Sequence, residues 1–171
     1  MKLMVVGGGG REHALIKKLR ENPRVTEIYA LPGNGGISYD ATCVPIAATD
    51  LDGITQFAQS HEIDFAVVAP DDPLVLGAVD RLAEVGIPAF GPRANAAIIE
   101  GSKVFSKNLM KKYHIPTAEY EVFTDPMAAE DYIEAKNRFP VVIKADGLAL
   151  RKGVLIAHAM EEAREALHTI M

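Results

Sequence analysis

A chain of 171 residues that is 49% hydrophobic and 24% charged is long enough to bury a sizeable core and is not a globally disordered polymer. Its net charge of −5 sits in residues 1–100, with 8 Lys+Arg against 13 Asp+Glu, while residues 101–171 balance 10 against 10. Neither half is a basic footprint for nucleic acid. The single cysteine, Cys43, excludes an intrachain disulfide and a cysteine-held zinc site, and reads as a small buried apolar residue.

The opening MKLMVVGGGG is too short in its apolar part for a signal peptide, and no run approaches the roughly 20 apolar residues that cross a membrane. The expectation is a soluble cytoplasmic protein without a membrane partner. Short apolar runs alternate with segments of helical period, the pattern of a parallel sheet wrapped by helices. Residues 3–6 predict a buried strand, 7–10 a turn, 12–20 a helix with Ala14, Leu15 and Leu19 on its inner face, and 27–31 a second strand. Pro32, Gly33, Asn34, Gly35 and Gly36 are too permissive to be regular. Asp50 is placed to cap a helix running to His61; 65–69 reads as a buried strand, 74–85 as a helix ended by Gly86, and 89–91 as a short strand.

From Ala94 the texture changes. Helices are predicted at 94–100 and 102–113, and 119–123 alternates polar and apolar residues as a half-exposed antiparallel strand does. Asp125 caps a helix to about Arg138, 141–144 is a strand, 146–152 a glycine-containing loop, 154–157 a strand, and 160–171 a final helix. The expected architecture is α/β: an open, mostly parallel sheet over residues 1–101, then a smaller α+β lobe over 102–171.

Four consecutive glycines at a strand-to-helix turn, Gly7, Gly8, Gly9 and Gly10, let the backbone approach a ligand and aim helix N-terminal N–H groups at an anion. A tight turn without a ligand is the alternative reading, since glycine is the default for any strained turn. A nicotinamide fingerprint needs a small residue where Glu12 or His13 stands and an acidic end to the second strand, which here runs through Leu31 into Pro32. Lys144 ends an apolar strand, where an unpaired cation is costly to bury, so it either pairs with a carboxylate such as Asp146, reaches water, or meets a phosphate. Lys103 is a helix lysine for which solvation is the ordinary state. Asp71 stands at the carboxyl edge of a strand, as a ligand contact or a helix cap. Arg11 and His13 open the first helix; His13 is a substrate contact or a packed residue. His61, His114, His158 and His168 have no metal-ligand spacing.

Gly7-Gly8-Gly9-Gly10-Arg11-Glu12-His13-Ala14 resembles the G-N-G-G-R-E-H-A motif that opens glycinamide ribonucleotide synthetases. Pro32-Gly33-Asn34-Gly35-Gly36 resembles their P-G-N-x-G loop. Phe90-Gly91-Pro92, Glu100-Gly101-Ser102-Lys103, His114-Ile115-Pro116-Thr117-Ala118 and Val142-Ile143-Lys144-Ala145-Asp146-Gly147-Leu148-Ala149 continue the family series in order. The resemblance implies a Rossmann-like pre-ATP-grasp domain followed by the small lobe of an ATP-grasp domain, in a ligase that joins phosphoribosylamine to glycine in purine synthesis through a glycyl phosphate. It implies that ATP phosphates are contacted by Lys103, Lys144, Asp146, Gly147, Lys152 and Gly153. Substrate is implied at Gly8, Gly9, Gly10, Arg11, Asn34 and Asp71.

Three departures stand out. The family's asparagine is Gly8, its G-P-E-A-P-L segment is Ala69-Pro70-Asp71-Asp72-Pro73-Leu74, and a glycine of its K-A-D-G-L-A-x-G-K-G-V loop is Arg151, which does not take positive φ angles freely. The resemblance places magnesium ligands, much of the adenine pocket and the glycine site in a larger lobe beyond Met171. The expectation is therefore an incomplete ligase, inactive alone and prone to self-association through uncovered apolar surface, or, alternatively, a non-catalytic module that binds phosphoribosyl ligands or a partner.

Overall fold

A computed structural model describes residues 1–147 and 153–171, and the chain divides into two units, Met1–Glu100 and Gly101–Met171. In the first, strand β1 (Lys2–Gly7) lies between β2 (Glu27–Pro32) and β4 (Phe65–Val68), with β3 (Thr42–Cys43) and β5 (Ala89–Phe90) at the edges; the order is β3-β2-β1-β4-β5 and every pairing is parallel. Residues 3–6 are buried on both sides because successive side chains leave a strand on opposite faces. Met4 and Val6 join Ile54, Phe57, Ala78 and Leu82 on one face, whereas Leu3 and Val5 join Ile16, Ile28 and Ala30 on the other. Each buried Val, Leu, Ile, Met or Phe side chain among them contributes about 1.5–3 kcal/mol of transfer free energy.

The first face is covered by α2 (Leu51–Ser60), α4 (Ala78–Glu84) and Ala97 of α5 (Ala94–Gly101), and the second by α1 (Gly10–Arg20). Asp50 caps α2 as expected, accepting from the Gly53 amide at 2.9 Å. The inner face of α1 differs from expectation: Glu12 and Ile16 are buried and Leu19 is half-buried, while Ala14 and Leu15 face solvent. The stripe runs i, i+4, i+7 from a charged residue, which counting apolar positions alone misses. The helix expected at 74–85 is two, α3 (Asp71–Val75) and α4, because Gly77 takes φ +91° between them. A 3₁₀ turn, Ile37–Tyr39, and strand β3 follow the Pro32-to-Gly36 loop, in residues for which the sequence pattern predicted no element. Cys43 is partly rather than fully buried.

In the second unit, β6 (Val141–Lys144) and β7 (Val154–Ala157) form an antiparallel pair, with Val141 opposite Ala157 and Lys144 opposite Val154. One face packs on α7 (Pro126–Lys136) and α8 (Met160–Ile170) through Ala129, Ile133, Ala163 and Leu167, while Val142, Val154 and Ile156 on the strands are exposed. Asp125 caps α7 by accepting from the Ala128 amide at 3.0 Å, and Asn137, at φ 43°, ends it. Residues 119–123 form no strand. Val122, on the apolar side of the alternation, is exposed, and Phe123, on the other side, is partly buried against the α7–α8 core, so the alternation here marks neither a buried face nor a paired strand. Lys107 of α6 (Lys103–Lys112) donates to Thr117 Oγ1 and the Ala118 carbonyl, and Tyr120 donates to Asn108, so this segment is tied to a helix by side chains. No described helix is long and apolar enough to cross a membrane.

Candidate functional site

In the first unit the strand order reverses between β1 and β4, and the carboxyl ends of those strands open the crevice where doubly wound sheets place ligands. The glycine run forms one lip. Gly7 has φ +122°, and a Cβ there would stand 2.7 Å from Pro70 Cγ at the end of β4 and from Glu12 Cγ. A Cβ on Gly8 would strike the Gly33 carbonyl, so Gly8 is glycine because a second backbone passes against it. Nothing lies within 4 Å of a Cβ on Gly10.

The Pro32-to-Gly36 loop is fastened to this turn by one side chain. Asn34 donates from Nδ2 to the Gly8 carbonyl at 2.7 Å, and its Oδ1 accepts from the Gly36 and Ile37 amides, both at 2.8 Å. The Gly33 amide adds a bond to the Gly7 carbonyl at 3.2 Å. Asn34 thus ties the loop to the glycine turn, with its carbonyl oxygen committed to the loop.

Glu12 lies under the same turn. Its Oε2 accepts from the Gly9 amide at 2.6 Å, the glutamate arm of a capping box. Its Oε1 is buried without a hydrogen-bond partner. Arg11 is poised between two carboxylates, its Nε 4.0 Å from Glu12 Oε1 and its Nη1 3.9 Å from Asp71 Oδ1. Asp71 is the first residue of α3 rather than its cap, which is Pro70, and a carboxylate in a first turn is favoured by the helix dipole.

His13 donates from Nε2 to the Asp40 carboxylate, Oδ2, across 2.8 Å, and Lys17 and Arg20 bring their cations to the same carboxylate. The His13 hydrogen bond, aided by Arg20 and Lys17 and opposed by partial desolvation, holds the Asp40 carboxyl below the ordinary aspartate value. Asp40 was not among the residues expected here, since nothing near it in sequence marks it. His61, read as structural, stacks on Phe57 at 3.8 Å between ring centroids.

The second unit gathers its polar groups where α6 begins and β6 ends. Ser102 caps α6, its Oγ accepting from the Phe105 amide at 3.0 Å, and donates that hydroxyl to Asp146 at 3.1 Å. The Val104 amide also donates to Asp146, at 3.2 Å. Partial desolvation raises the Asp146 carboxyl, but the Val104 amide, the Ser102 hydroxyl and the Gly147 and Lys103 amides outweigh it and leave it below the ordinary value. Asp146 therefore spends its oxygens on the first turn of α6. Lys103 donates from Nζ to the Gly147 carbonyl at 2.6 Å.

Lys144 is exposed, and among the described residues it makes no ion pair, so Asp146 is not its partner. The Ala145 amide donates to the Gly153 carbonyl at 2.8 Å, closing the base of the glycine-containing loop. Lys152 and Arg151 lie outside the described residues. Among the described residues no group of three or more His, Cys, Asp or Glu side chains is placed to hold a metal ion.

Comparison with known proteins bears on both units. Residues 1–100 match the family model described as phosphoribosylglycinamide synthetase, N domain, and residues 101–171 the one described as phosphoribosylglycinamide synthetase, ATP-grasp (A) domain. A phosphoribosylamine–glycine ligase of Listeria monocytogenes serotype 4b is 52% identical over 172 residues, which cover 100% of this chain and 41% of that relative. A crystal structure of a phosphoribosylamine–glycine ligase from Thermotoga maritima superposes with TM-score 0.76 at 35% identity, covering 96% of this chain and 38% of that one. The biotin carboxylase domain of a Hydrogenobacter thermophilus 2-oxoglutarate carboxylase, solved with MgADP, ADP and bicarbonate, shares the fold at TM-score 0.78 and 18% identity, covering 99% and 40%. The chain spans about two-fifths of the length of the ligases it matches.

Proposed function

The chain belongs to the phosphoribosylglycinamide synthetase family, and from that premise we propose that it supplies the amino-terminal domain and the small ATP-grasp lobe of an ATP-dependent carbon–nitrogen ligase. The reaction joins 5-phosphoribosylamine to glycine in purine biosynthesis, in the cytoplasm. The γ-phosphoryl group of ATP passes to the glycine carboxylate, and the amine displaces phosphate from the resulting glycyl phosphate, leaving glycinamide ribonucleotide. What a protein adds to such a transfer is position and charge.

One observation carries the nucleotide half of this reading: Lys144 is an exposed cation without an ion pair among the described residues, at the edge of a sheet whose Val142, Val154 and Ile156 are exposed. An unpaired ammonium beside an uncovered apolar face suits a ligand with an anionic tail and a flat apolar body. Lys103, held over the Gly147 carbonyl, is the second phosphate-facing cation in this proposal, and Gly147 and Gly153 frame the loop. Magnesium is the family's expected companion of ATP, but Asp146 is engaged by α6 and no metal-ligand group stands among the described residues.

The substrate half rests on the crevice between β1 and β4, where Gly8, Gly9, Gly10, Arg11, Asn34 and Asp71 come together. The test is kinetic. In a ligase of full family length that begins with this chain, Lys144→Ala is expected to raise KM for ATP at least tenfold with KM for glycine unchanged. An unmoved KM for ATP overturns the assignment.

A further inference from the structure

No sequence motif marks Asp40, yet three side chains of α1 converge on it. His13, Lys17 and Arg20 stand at i, i+4 and i+7 and so lie along one face of the helix. His13 donates to Oδ2 at 2.8 Å, Lys17 Nζ stands 3.9 Å from the same oxygen, and Arg20 donates to Oδ1 and to the Tyr39 carbonyl. A lone ion pair on a surface is worth little, but one carboxylate, 18% exposed and shared by three partners, is a network.

What the network holds is the turn that carries Asn34. The Ser38 amide donates to the Asn34 carbonyl at 3.0 Å, and the Asp40 and Ala41 amides donate to the Ile37 carbonyl at 2.8 and 2.9 Å, so residues 34–41 form one hydrogen-bonded piece. Ile37, fully buried, pins the middle of that piece; its ends decide how it is turned. One end is Asn34, donating to the Gly8 carbonyl. The other is Asp40, on α1. The His13 ring spans the two, since a Cβ on Gly36 would stand 3.2 Å from its Cε1 and 3.3 Å from its Nδ1 while Nε2 faces Asp40. Of the two roles open to His13, a packed bridge is the one this geometry fits.

We propose that Asp40 is a positioning residue for the substrate side of the ligase: through His13, Lys17 and Arg20 it orients the 34–41 turn on α1 and so keeps Asn34 against the glycine turn. It acts through Asn34 and touches no substrate. The assignment rests on the substrate reading of the β1–β4 crevice and adds a residue on which the shape of that crevice depends.

Two measurements test it. In the 171-residue chain, the Gly36 and Ile37 amides donate to Asn34 Oδ1 and report whether Asn34 keeps its place. In Asp40→Ala their exchange with deuterium is expected to quicken at least about tenfold, while the Met4 and Val67 amides of the sheet keep their native rates. Asp40→Glu, whose longer carboxylate has room in the groove beside Arg20, Ser38 and Thr42, is expected to return exchange to within about threefold of native. Asp40→Asn keeps the size of the side chain and an acceptor for His13 but loses the charge that Lys17 and Arg20 share; it stands in should Asp40→Ala fail to fold, with exchange at least about threefold faster than native. Native exchange rates in the alanine variant, or in the asparagine variant where the first does not fold, overturn the proposal.

The second measurement is kinetic, in a ligase of full family length that begins with this chain. Asp40→Ala is expected to raise KM for phosphoribosylamine, formed in place from ribose 5-phosphate and ammonia, at least about tenfold, with kcat and KM for ATP unmoved and Asp40→Glu restoring the native value. A fall in kcat with every KM unmoved reports loss of folded enzyme alone and overturns the positioning role. Faster exchange with an unmoved KM for phosphoribosylamine also overturns it, and leaves the substrate reading standing because the enzyme still turns over. A native ligase that does not use phosphoribosylamine sinks the substrate reading, while the exchange rates still decide whether Asp40 holds the turn.

Discussion

Residues 1–100 and residues 101–171 build their polar sites from different materials. In the first unit the sheet is covered on both faces, and the turn, the Asn34 loop and the Glu12 cap are backbone groups held by other backbone groups or by side chains with committed atoms. In the second, a two-stranded sheet is covered on one face only, and two lysine side chains carry the proposed chemistry. A sheet buried on both sides holds a crevice to fixed geometry through packing. A single hairpin on two helices is a weaker base, because fewer buried residues oppose the same entropy per residue.

The sharpest way to break that contrast is a cavity in each core. Leu82→Ala in the first unit and Leu167→Ala in the second both remove side chains that are at most 5% exposed, and each is expected to cost about 2–5 kcal/mol. The consequences should differ. With Leu167→Ala, the β6 amides of Val141–Lys144 lose hydrogen-exchange protection while those of residues 3–6 keep theirs. Loss of protection in both sets together would show one cooperative unit instead of two.

A smaller effect separates two neighbouring glycines of the same turn. Gly8→Ala puts a Cβ onto the Gly33 carbonyl, so either the turn or the Asn34 loop must yield, at about 1–3 kcal/mol. Gly10→Ala meets nothing within 4 Å and occupies the first position of α1, where it should be neutral or stabilise by up to about 1 kcal/mol. Urea midpoints that fall equally for both would mean the turn is not pinned by the loop.

That glycine pair also marks how far the sequence alone could be read. The strand-turn-helix of residues 3–20, the caps Asp50 and Asp125 and the β6–β7 strands were all legible, because each carries a local sign: a short apolar run, a glycine turn, or a carboxylate three residues before the amide it accepts from. The inner face of α1 was not, although Glu12 three residues after Gly9 is the spacing of a capping box. Counting apolar positions alone placed Ala14 and Leu15 on the inner face in place of Glu12 and Ile16, with Leu19 common to both. Asp40 was invisible for a different reason: its partners His13, Lys17 and Arg20 lie 20 or more residues earlier, and only folding brings them together. The strand expected at 119–123 failed because a period of two over five residues names neither a backbone partner nor, with Val122 exposed, a buried face.

The least effect expected is also the one that compares the units most directly, since each holds an aspartate below its ordinary value. Asp40 is held there chiefly by His13, with Arg20 and Lys17 beside it, whereas the donors that lower Asp146 are three backbone amides and a hydroxyl, none of them charged. The sign is the same for both. A depressed carboxyl stabilises the fold above the unfolded aspartate value of about 3.9 and loses that stabilisation as pH falls through the lower folded value. Salt should tell them apart, because at about 1 M the screening length is roughly 3 Å and exposed ion pairs fade while bonds to neutral amides persist. Asp40→Asn should therefore reduce the difference in first-unit stability between pH 6 and pH 3 in low salt, with little further change in high salt. Asp146→Asn should reduce the corresponding second-unit difference equally in both. Urea unfolding of each variant, followed by amide exchange in each unit, checks this; a salt-dependent Asp146 would mean that a cation, Lys144 or Lys103, reaches it in solution.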